Sequence, residues 1–243
     1  MRLRCDFKGE KIPLSHNLMF VSLIKEALKK SDSDYYEKTY FYNGKQNKKS
    51  KNFCFSVKMK GFEVEGDIAN LKDGVSLFIS SPDNEFMIYL YNGLLKIKEF
   101  KYKDFNIIRE RISLMKEKKV DSKEVIFKTV SPICVKNNQN YFLKIDDEGY
   151  EKELNYIAEK VLENFRGRGL SEKLIFQNVK MKNVVVRQEI KKFEEKSGKN
   201  YLCINSYEGI FKLCGNSEDL RDLYALGLGF KRSQGFGMLD VVY

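Results

Sequence analysis

Three observations predict an α+β fold. Each half of the chain opens on a strand pattern, residues 2–7 and the apolar run from residue 125. A helix-type apolar pattern follows each one, at residues 17–30 and 151–165. Several short strand patterns then succeed the helix in both halves, so strands and helices are mixed rather than strictly alternating.

In the first half, Leu3, Cys5 and Phe7 alternate with Arg2, Arg4 and Asp6, which predicts a strand. Pro13 and Ser15 break the chain. Ser15 or Asn17 is the expected cap of a helix carrying Leu18, Val21, Leu23, Ile24, Ala27 and Leu28, ended by Ser31-Asp32-Ser33-Asp34. Residues 52–58 predict a strand, as do 62–68, 75–80, 94–100 and 106–116, with a short helix at 85–91. The charged segment 116–123 has no aromatic residue and is the expected boundary between domains 1–120 and 121–243.

In the second half, a strand is expected from Val125 to Val135, a turn at 137–140 and a short strand at 141–145. Leu154, Ile157, Ala158, Val161, Leu162 and Phe165 mark the helix at 151–165. Gly167 suits its C-terminal cap, while Arg166 and Arg168 suit the negative end of its dipole or a phosphate. Residues 174–189 are strand-rich. Residues 201–213 predict a hairpin about Glu208-Gly209. Asn216 or Ser217 caps a last helix, 218–226.

The formal net charge is +10, from 44 Lys+Arg against 34 Asp+Glu, which favours a polyanionic partner. No apolar run reaches the roughly 18 residues of a membrane span, and the N-terminus lacks a signal-type apolar region, so a cytoplasmic protein is expected. The five cysteines show no Cys-x-x-Cys spacing, and there is one histidine; a zinc site is not expected, and the cysteines suit buried free thiols. Between Glu37 and Glu63 no acidic residue occurs, yet Lys38, Lys45, Lys48, Lys49, Lys51, Lys58 and Lys60 do, interleaved with Tyr40, Phe41, Tyr42, Phe53 and Phe55. Cations meet phosphates and rings stack on bases, so this mixture suits single-stranded nucleic acid; a solvated lysine hairpin with an aromatic inner face is the plainer alternative.

The most informative run is Gly227-Leu228-Gly229-Phe230-Lys231-Arg232-Ser233-Gln234-Gly235-Phe236-Gly237. Two Gly-apolar-Gly units flank a basic, polar tip. Backbone N–H groups with Lys231, Arg232, Ser233 and Gln234 can face an anion, or the run is a plain turn into a last strand at 238–243. It is neither a Walker loop nor a dinucleotide fingerprint, because no Gly-Lys-Ser/Thr end opens a helix and no βαβ unit follows. With the preceding Leu220-Arg221-Asp222-Leu223-Tyr224-Ala225-Leu226, it resembles the C-terminal signature of the CRISPR-associated endoribonucleases that process repeat RNA, members of the RAMP superfamily. Phe127-Lys128-Thr129-Val130-Ser131-Pro132-Ile133 is similar to that family's middle segment, and Ile12-Pro13-Leu14-Ser15-His16-Asn17 to the approach to its first helix.

The resemblance implies two tandem ferredoxin-like βαββαβ domains, the first carrying the catalytic residues. It also implies metal-independent cleavage by 2′-hydroxyl attack, giving 2′,3′-cyclic phosphate and 5′-hydroxyl ends, and no cofactor. The implied partner is CRISPR repeat RNA, with other CRISPR effector-complex proteins and a second copy of the chain as further candidates. Such chemistry needs a base, an acid and a cation. His16 is the expected base, Tyr42 the acid, and Lys45 or Lys48 the phosphate stabiliser. Lys49, Lys51, Gly227, Gly229, Lys231, Arg232, Ser233, Gln234, Gly235 and Gly237 are the expected RNA contacts. Many members of the family carry a histidine in the loop after the first helix; this chain has Tyr35, Tyr36, Lys38, Tyr40, Tyr42, Lys45 and Lys48 there instead. Three possibilities therefore stay open: catalysis by His16, catalysis by tyrosine and lysine, or a non-catalytic RNA-binding subunit. A general RNA-recognition protein is disfavoured by the missing Lys/Arg-Gly-Phe-Gly-Phe motif. A metal-dependent nuclease is disfavoured by the lack of an acidic cluster near the lysines.

Overall fold

The structure is a computed structural model that describes residues 1–47, 49–189 and 201–242. Alternation of Leu3, Cys5 and Phe7 makes Arg2–Lys8 the strand β1, and the apolar stripe of Asn17–Ser31 makes the helix α1. Between them lies β2, Lys11–Pro13. The chain continues with α2 (Ser33–Tyr40), a two-strand hairpin β3 (Phe41–Tyr42) and β4 (Lys45–Gln46), then β5 (Cys54–Met59). β6 (Phe62–Glu65) and β7 (Ile68–Leu71) pair with each other and with β2 as a small separate sheet. β8 (Val75–Ser80), α3 (Asn84–Lys96), β9 (Glu99–Tyr102) and β10 (Phe105–Leu114) complete the first half.

The order β5-β8-β1-β10-β9 is antiparallel throughout. Setting aside insertions, β1-α1-β5-β8-α3-β10 is a ferredoxin-like βαββαβ unit with an added edge strand. The second half repeats it. β11 (Glu124–Thr129), α4 (Tyr150–Arg166), β12 (Ile175–Glu189), β13 (Tyr201–Cys214), α5 (Ser217–Leu226) and β14 (Leu239–Val241) form a sheet of order β12-β13-β11-β14. The two tandem ferredoxin-like units implied by the sequence are present. Each has its own core: Leu3, Phe20, Leu23, Leu77, Leu90 and Ile107 in the first, Phe127, Leu154, Leu162, Phe211, Leu223 and Leu239 in the second. Among the described residues no helix is long and apolar enough to cross a membrane.

Several local expectations are corrected. Neither Ser15 nor Asn17 caps α1; His16 occupies that position and makes no capping bond. Asp32 ends α1 through its N–H to Leu28 O at 2.9 Å, and its Oδ1 accepts from Tyr35 N at 2.7 Å to start α2, an unexpected helix. The short helix at 85–91 extends over Asn84–Lys96 and absorbs the start of the strand expected at 94–100. The strand expected to run to Val135 stops at Thr129, before Pro132, and 141–145 forms only the bridge Lys136–Phe142. Residues 201–213 are not a hairpin. β13 pairs with β12 along its length; Glu208 and Gly209 face Lys182 and Met181, next to a register slip between Asn178 and Lys180 that lies opposite Ile210 and Phe211. Cys203 is exposed and Cys214 partly so, whereas Cys5, Cys54 and Cys134 are buried and free as expected. Burial pushes the Cys5 and Cys134 thiols up to about 12 and Cys54 to about 11.

The halves meet at the end of α5. The last carbonyls of a helix have no partner within it. Here Arg2 Nη2 donates to Tyr224 O at 2.7 Å, and Ser80 Oγ donates to Ala225 O at 2.8 Å. Arg232 Nη1 donates to Leu226 O. The Arg2 guanidinium also stacks 3.7 Å from the Tyr224 ring centroid. Ser131 Oγ to Phe55 O at 3.1 Å and Ser56 Oγ to Val130 O at 2.7 Å extend the joint along β5.

Within the first domain, α1 and α3 touch backbone to backbone at Gly93. A Cβ there would lie 1.8 Å from Ala27 O. Gly93→Ala therefore forces the helices apart. Thermal and denaturant unfolding should show a loss of about 1–3 kcal/mol, the usual cost of overpacking, with the second domain's packing unaffected.

Candidate nucleic-acid interface

A cleft of about 580 Å³ lies between the two domains. α1 contributes Val21 and Lys25, the end of α2 contributes Tyr40, and the following segment contributes Asn47, Lys49, Ser50 and Lys51. α4 supplies Tyr156 and Lys160 from the other side, and the glycine-rich loop supplies residues 229–234. No carboxylate lines it among the described residues. Lys25 Nζ lies 4.9 Å and Lys51 Nζ 5.5 Å from the Tyr40 ring centroid, so one aromatic face carries two cations. Burial, and then the nearby Lys25 charge, hold the Lys51 ammonium below its ordinary pKa. Its Nζ donates to Asn47 O at 3.1 Å and Lys49 O at 3.2 Å. Burial, reinforced by the neighbouring tyrosines, holds the Tyr40 hydroxyl well above the usual phenol range.

The glycine loop is a packed element. All four glycines, and Lys231 as well, have positive φ. At Gly237 a Cβ would sit 2.1 Å from Leu228 O, so the two Gly-apolar-Gly units lie back to back. Leu228 N donates to Gly237 O at 2.9 Å, Phe230 N to Cys134 O at 2.7 Å and Gly237 N to Pro132 O at 2.8 Å. These N–H groups are engaged within the protein and do not face an anion. Gly227, Gly229 and Gly235 similarly abut Cys54, Cys134 O and the Asn17 side chain.

The expected site residues separate. Lys49, Lys51, Gly229, Lys231, Ser233 and Gln234 line the cleft. Arg232 belongs to its wall, but its side chain is 4% exposed and turned inward. Besides Leu226 O, its guanidinium reaches Ser50 Oγ, and Lys51 O at 3.2 Å. Its donors cap carbonyls and a hydroxyl within the fold, and burial pulls its pKa down to about 10. Tyr42 and Lys45 pair across the β3–β4 hairpin, both exposed, and neither lines the cleft. Lys48 lies outside the described residues. His16 does not line the cleft either. Its ring stands edge-on to Phe20 at 6.2 Å, and its Nδ1 is buried with no partner among the described residues. Lys25 and Lys160 are cleft groups that sequence reasoning missed, while Tyr40 belongs to the tyrosine and lysine set named from the sequence. Lys25 follows Val21 by one helical turn, which is a local signal only once the neighbouring segment is known. Arg166, expected at a dipole or a phosphate, instead pairs with Asp219 and Asp222.

Residues 115–241 match the family described as CRISPR associated protein Cas6, C-terminal. The chain is similar to the CRISPR-associated endoribonuclease Cas6 1 of Methanocaldococcus jannaschii, with 26% identity over 247 residues, 98% of this chain and 92% of the relative. It shares its fold with a Cas6-related protein from Pyrococcus furiosus: TM-score 0.82, 23% identity, 100% of this chain and 98% of the other. A structure described as an RAMP protein binding different RNA substrates aligns with TM-score 0.83 and 22% identity over 100% of both chains.

Two consequences can be measured. Removing the Arg232 guanidinium leaves the Leu226 and Lys51 carbonyls without their donor, which costs about 1–3 kcal/mol in a buried site. Arg232→Ala should therefore melt earlier, as read by thermal unfolding. Burial holds His16 neutral, pulling its pKa from 6.5 to about 4. The unfolded chain then binds the extra proton first, so stability falls as pH drops from 6.5 toward 4. His16→Asn should lose less stability than wild type across that window in urea titrations; equal losses would contradict the assignment.

Proposed function

The chain belongs to the Cas6 family, and on that premise we propose that it is a metal-independent endoribonuclease that processes CRISPR repeat RNA in the interdomain cleft. The observation that carries this is the cleft wall: cations from α1, the 47–51 segment, α4 and the glycine loop, with no carboxylate among them in the described residues. A phosphodiester meets complementary charge there without competition from an internal anion.

The reaction class is transesterification. The 2′-oxygen loses its proton and forms a bond to the neighbouring phosphorus. The bond from phosphorus to the 5′-oxygen breaks, and that oxygen gains a proton. A 2′,3′-cyclic phosphate and a 5′-hydroxyl result. Lys51 is the group we assign to proton transfer, since its lowered pKa brings an ammonium closer to working pH. Lys25 and Lys231 face the charge developing on the phosphate oxygens. Tyr40, with its raised pKa, supplies a ring on which the cations rest rather than a proton donor. His16 has no part in this assignment, because it stands outside the cleft wall and burial weakens its basicity. Tyr42 and Lys45 are assigned to the approaching RNA strand, since their hairpin is exposed beside the cleft segment.

A non-catalytic RNA-binding subunit of a CRISPR effector complex is the second reading, favoured by a cleft that no histidine lines. Single-turnover cleavage of a labelled repeat RNA in excess chelator separates the two. We expect cleavage at one position, a cyclic-phosphate end, and a loss of about 10²–10³-fold in Lys51→Ala, the range for a proton-transfer or charge-stabilising group. His16→Ala should stay within a few-fold of wild type. A large loss in His16→Ala with Lys51→Ala intact would return the base to His16. Tight binding without cleavage would support the subunit, and cleavage abolished by chelator would overturn metal independence.

A further inference from the structure

A buried amide outside the cleft wall holds one of the cleft's cations. Gln188 lies on β12, is 1% exposed and does not line the cleft. Its Oε1 accepts from Lys231 Nζ at 2.9 Å. Its Nε2 donates to Gln234 Oε1 at 3.3 Å, and that oxygen also accepts from Lys231 Nζ at 2.7 Å. The three side chains close a ring in which both amide oxygens face one ammonium.

We propose that Gln188 is a positioning residue that holds the Lys231 ammonium for a backbone phosphate of bound RNA while leaving its positive charge uncancelled. The inference rests on the proposed function and deepens it by naming the group the loop recognises.

Four observations carry it. First, an ammonium has three N–H donors, and two are taken by neutral oxygens. One donor is left over, and Lys231 itself lines the cleft. A carboxylate at position 188 would hold the lysine as well but would neutralise it; an amide fixes direction and preserves charge. Second, Lys231 adopts φ 59, a left-handed conformation that a lysine side chain does not favour. Such backbone strain clusters at ligand-contacting sites. Third, the nearby cation is Lys136, whose Nζ donates to Asn140 Oδ1 at 2.6 Å and lies 4.7 Å from the Phe230 ring centroid. It adds positive charge and supplies no counter-ion. Fourth, the loop's other cation, Arg232, is engaged by carbonyls inside the fold. Lys231 is left to meet the ligand. A phosphodiester offers acceptor oxygens only and one negative charge, which matches the one remaining ammonium N–H.

The test is RNA affinity as a function of salt. The probe is a fluorescein-labelled CRISPR repeat RNA, 2′-O-methylated throughout so that it cannot be cut, read by anisotropy. Gln188→Glu should weaken binding about tenfold and make the log–log salt slope shallower by about 0.7, the decrement for one fewer neutralised phosphate on a single strand. Lys231→Ala should do the same, and in the charge-neutral cycle the double variant Gln188→Met with Lys231→Ala should bind no worse than Lys231→Ala alone. A merely structural glutamine would change affinity without changing the slope, and its effect would add to that of Lys231→Ala. Either result overturns the inference. Should Gln188→Glu fail to fold, Gln188→Met serves. It removes the mount without adding charge, so it should weaken binding several-fold when Lys231 is present and not at all in Lys231→Ala. A wild type that binds no repeat RNA overturns both this inference and the proposed function. A wild type that binds but cannot cut unmodified RNA overturns only the catalytic assignment, and the salt slopes still decide the role of Gln188.

Discussion

The end of α5 is the constraint on which the rest of the molecule depends. A helix terminus concentrates negative partial charge on carbonyls that the helix itself cannot satisfy. Buried between two domains, these carbonyls are also shielded from bulk solvent. The chain answers with two arginines and a serine: Arg2 to Tyr224, Ser80 to Ala225 and Arg232 to Leu226. Arg2 and Ser80 come from opposed positions of the first sheet, where Arg2 pairs with Ser80 across β1 and β8. The first domain therefore meets the second domain's helix end with a matched pair of donors. Since Arg232 then reaches on to Ser50 and Lys51, the same contact that joins the domains also holds one wall of the cleft.

This changes what the glycine-rich run does. Its composition suggests a cradle of free N–H groups. The fold uses many of those N–H groups internally, and the absent Cβ atoms let Leu228 and Gly237 lie against each other. Glycine here permits close approach, and under the proposed function any anion contact falls to side chains. Asn164 adds to the arrangement from α4, donating to Ser50 O at 2.9 Å and to Asn52 Oδ1 at 3.1 Å. The segment that carries Lys49 and Lys51 is thus gripped from the loop and from α4 together.

How much of this could be read from the residues depends on distance along the chain. β1, β10, α4 and α5 follow from periodicity and from caps such as Asn216, whose side chain accepts from Glu218 N. They are signals confined to one segment. α2 escapes such reading because its tyrosines face other helices, with Tyr35 stacked on Tyr89 at 4.4 Å, a contact no local pattern encodes. Glu208-Gly209 looks like a turn, yet it lies inside a paired strand beside a bulge, and its glycine, at φ 142, lets the Lys180 carbonyl approach where a Cβ would collide. In the site, Lys51 and Lys231 stand in segments whose composition already points to RNA. Lys25 meets Tyr40 across two helices of the first domain, and Gln188 meets Lys231 between a strand and the loop of the second, contacts that join segments far apart along the chain. Arg232 misleads for the same reason: its sequence neighbours suggest a phosphate, and its real acceptors are backbone oxygens from both domains.

The cleft obeys one electrostatic rule. Ion pairs are common elsewhere, from Lys8–Glu110 to Lys212–Glu124. In the cleft, Lys51 is held by the Asn47 and Lys49 carbonyls, Lys231 by two amide oxygens, and Arg232 by carbonyls and a hydroxyl. Each of these cations is oriented by neutral oxygen. Lys160, paired with Glu163, sits on the outer helix and is the exception. Orientation by dipoles fixes geometry as well as a salt bridge does, but it leaves the charge in place. The penalty is desolvation, with lesser repulsion from Lys25 at Lys51 and from Lys136 at Lys231, visible in the lowered pKa of Lys51, Lys231 and Arg232. On the function proposed above, a phosphate chain would relieve that positive potential on binding, so the stability withheld from the cleft would become affinity for RNA.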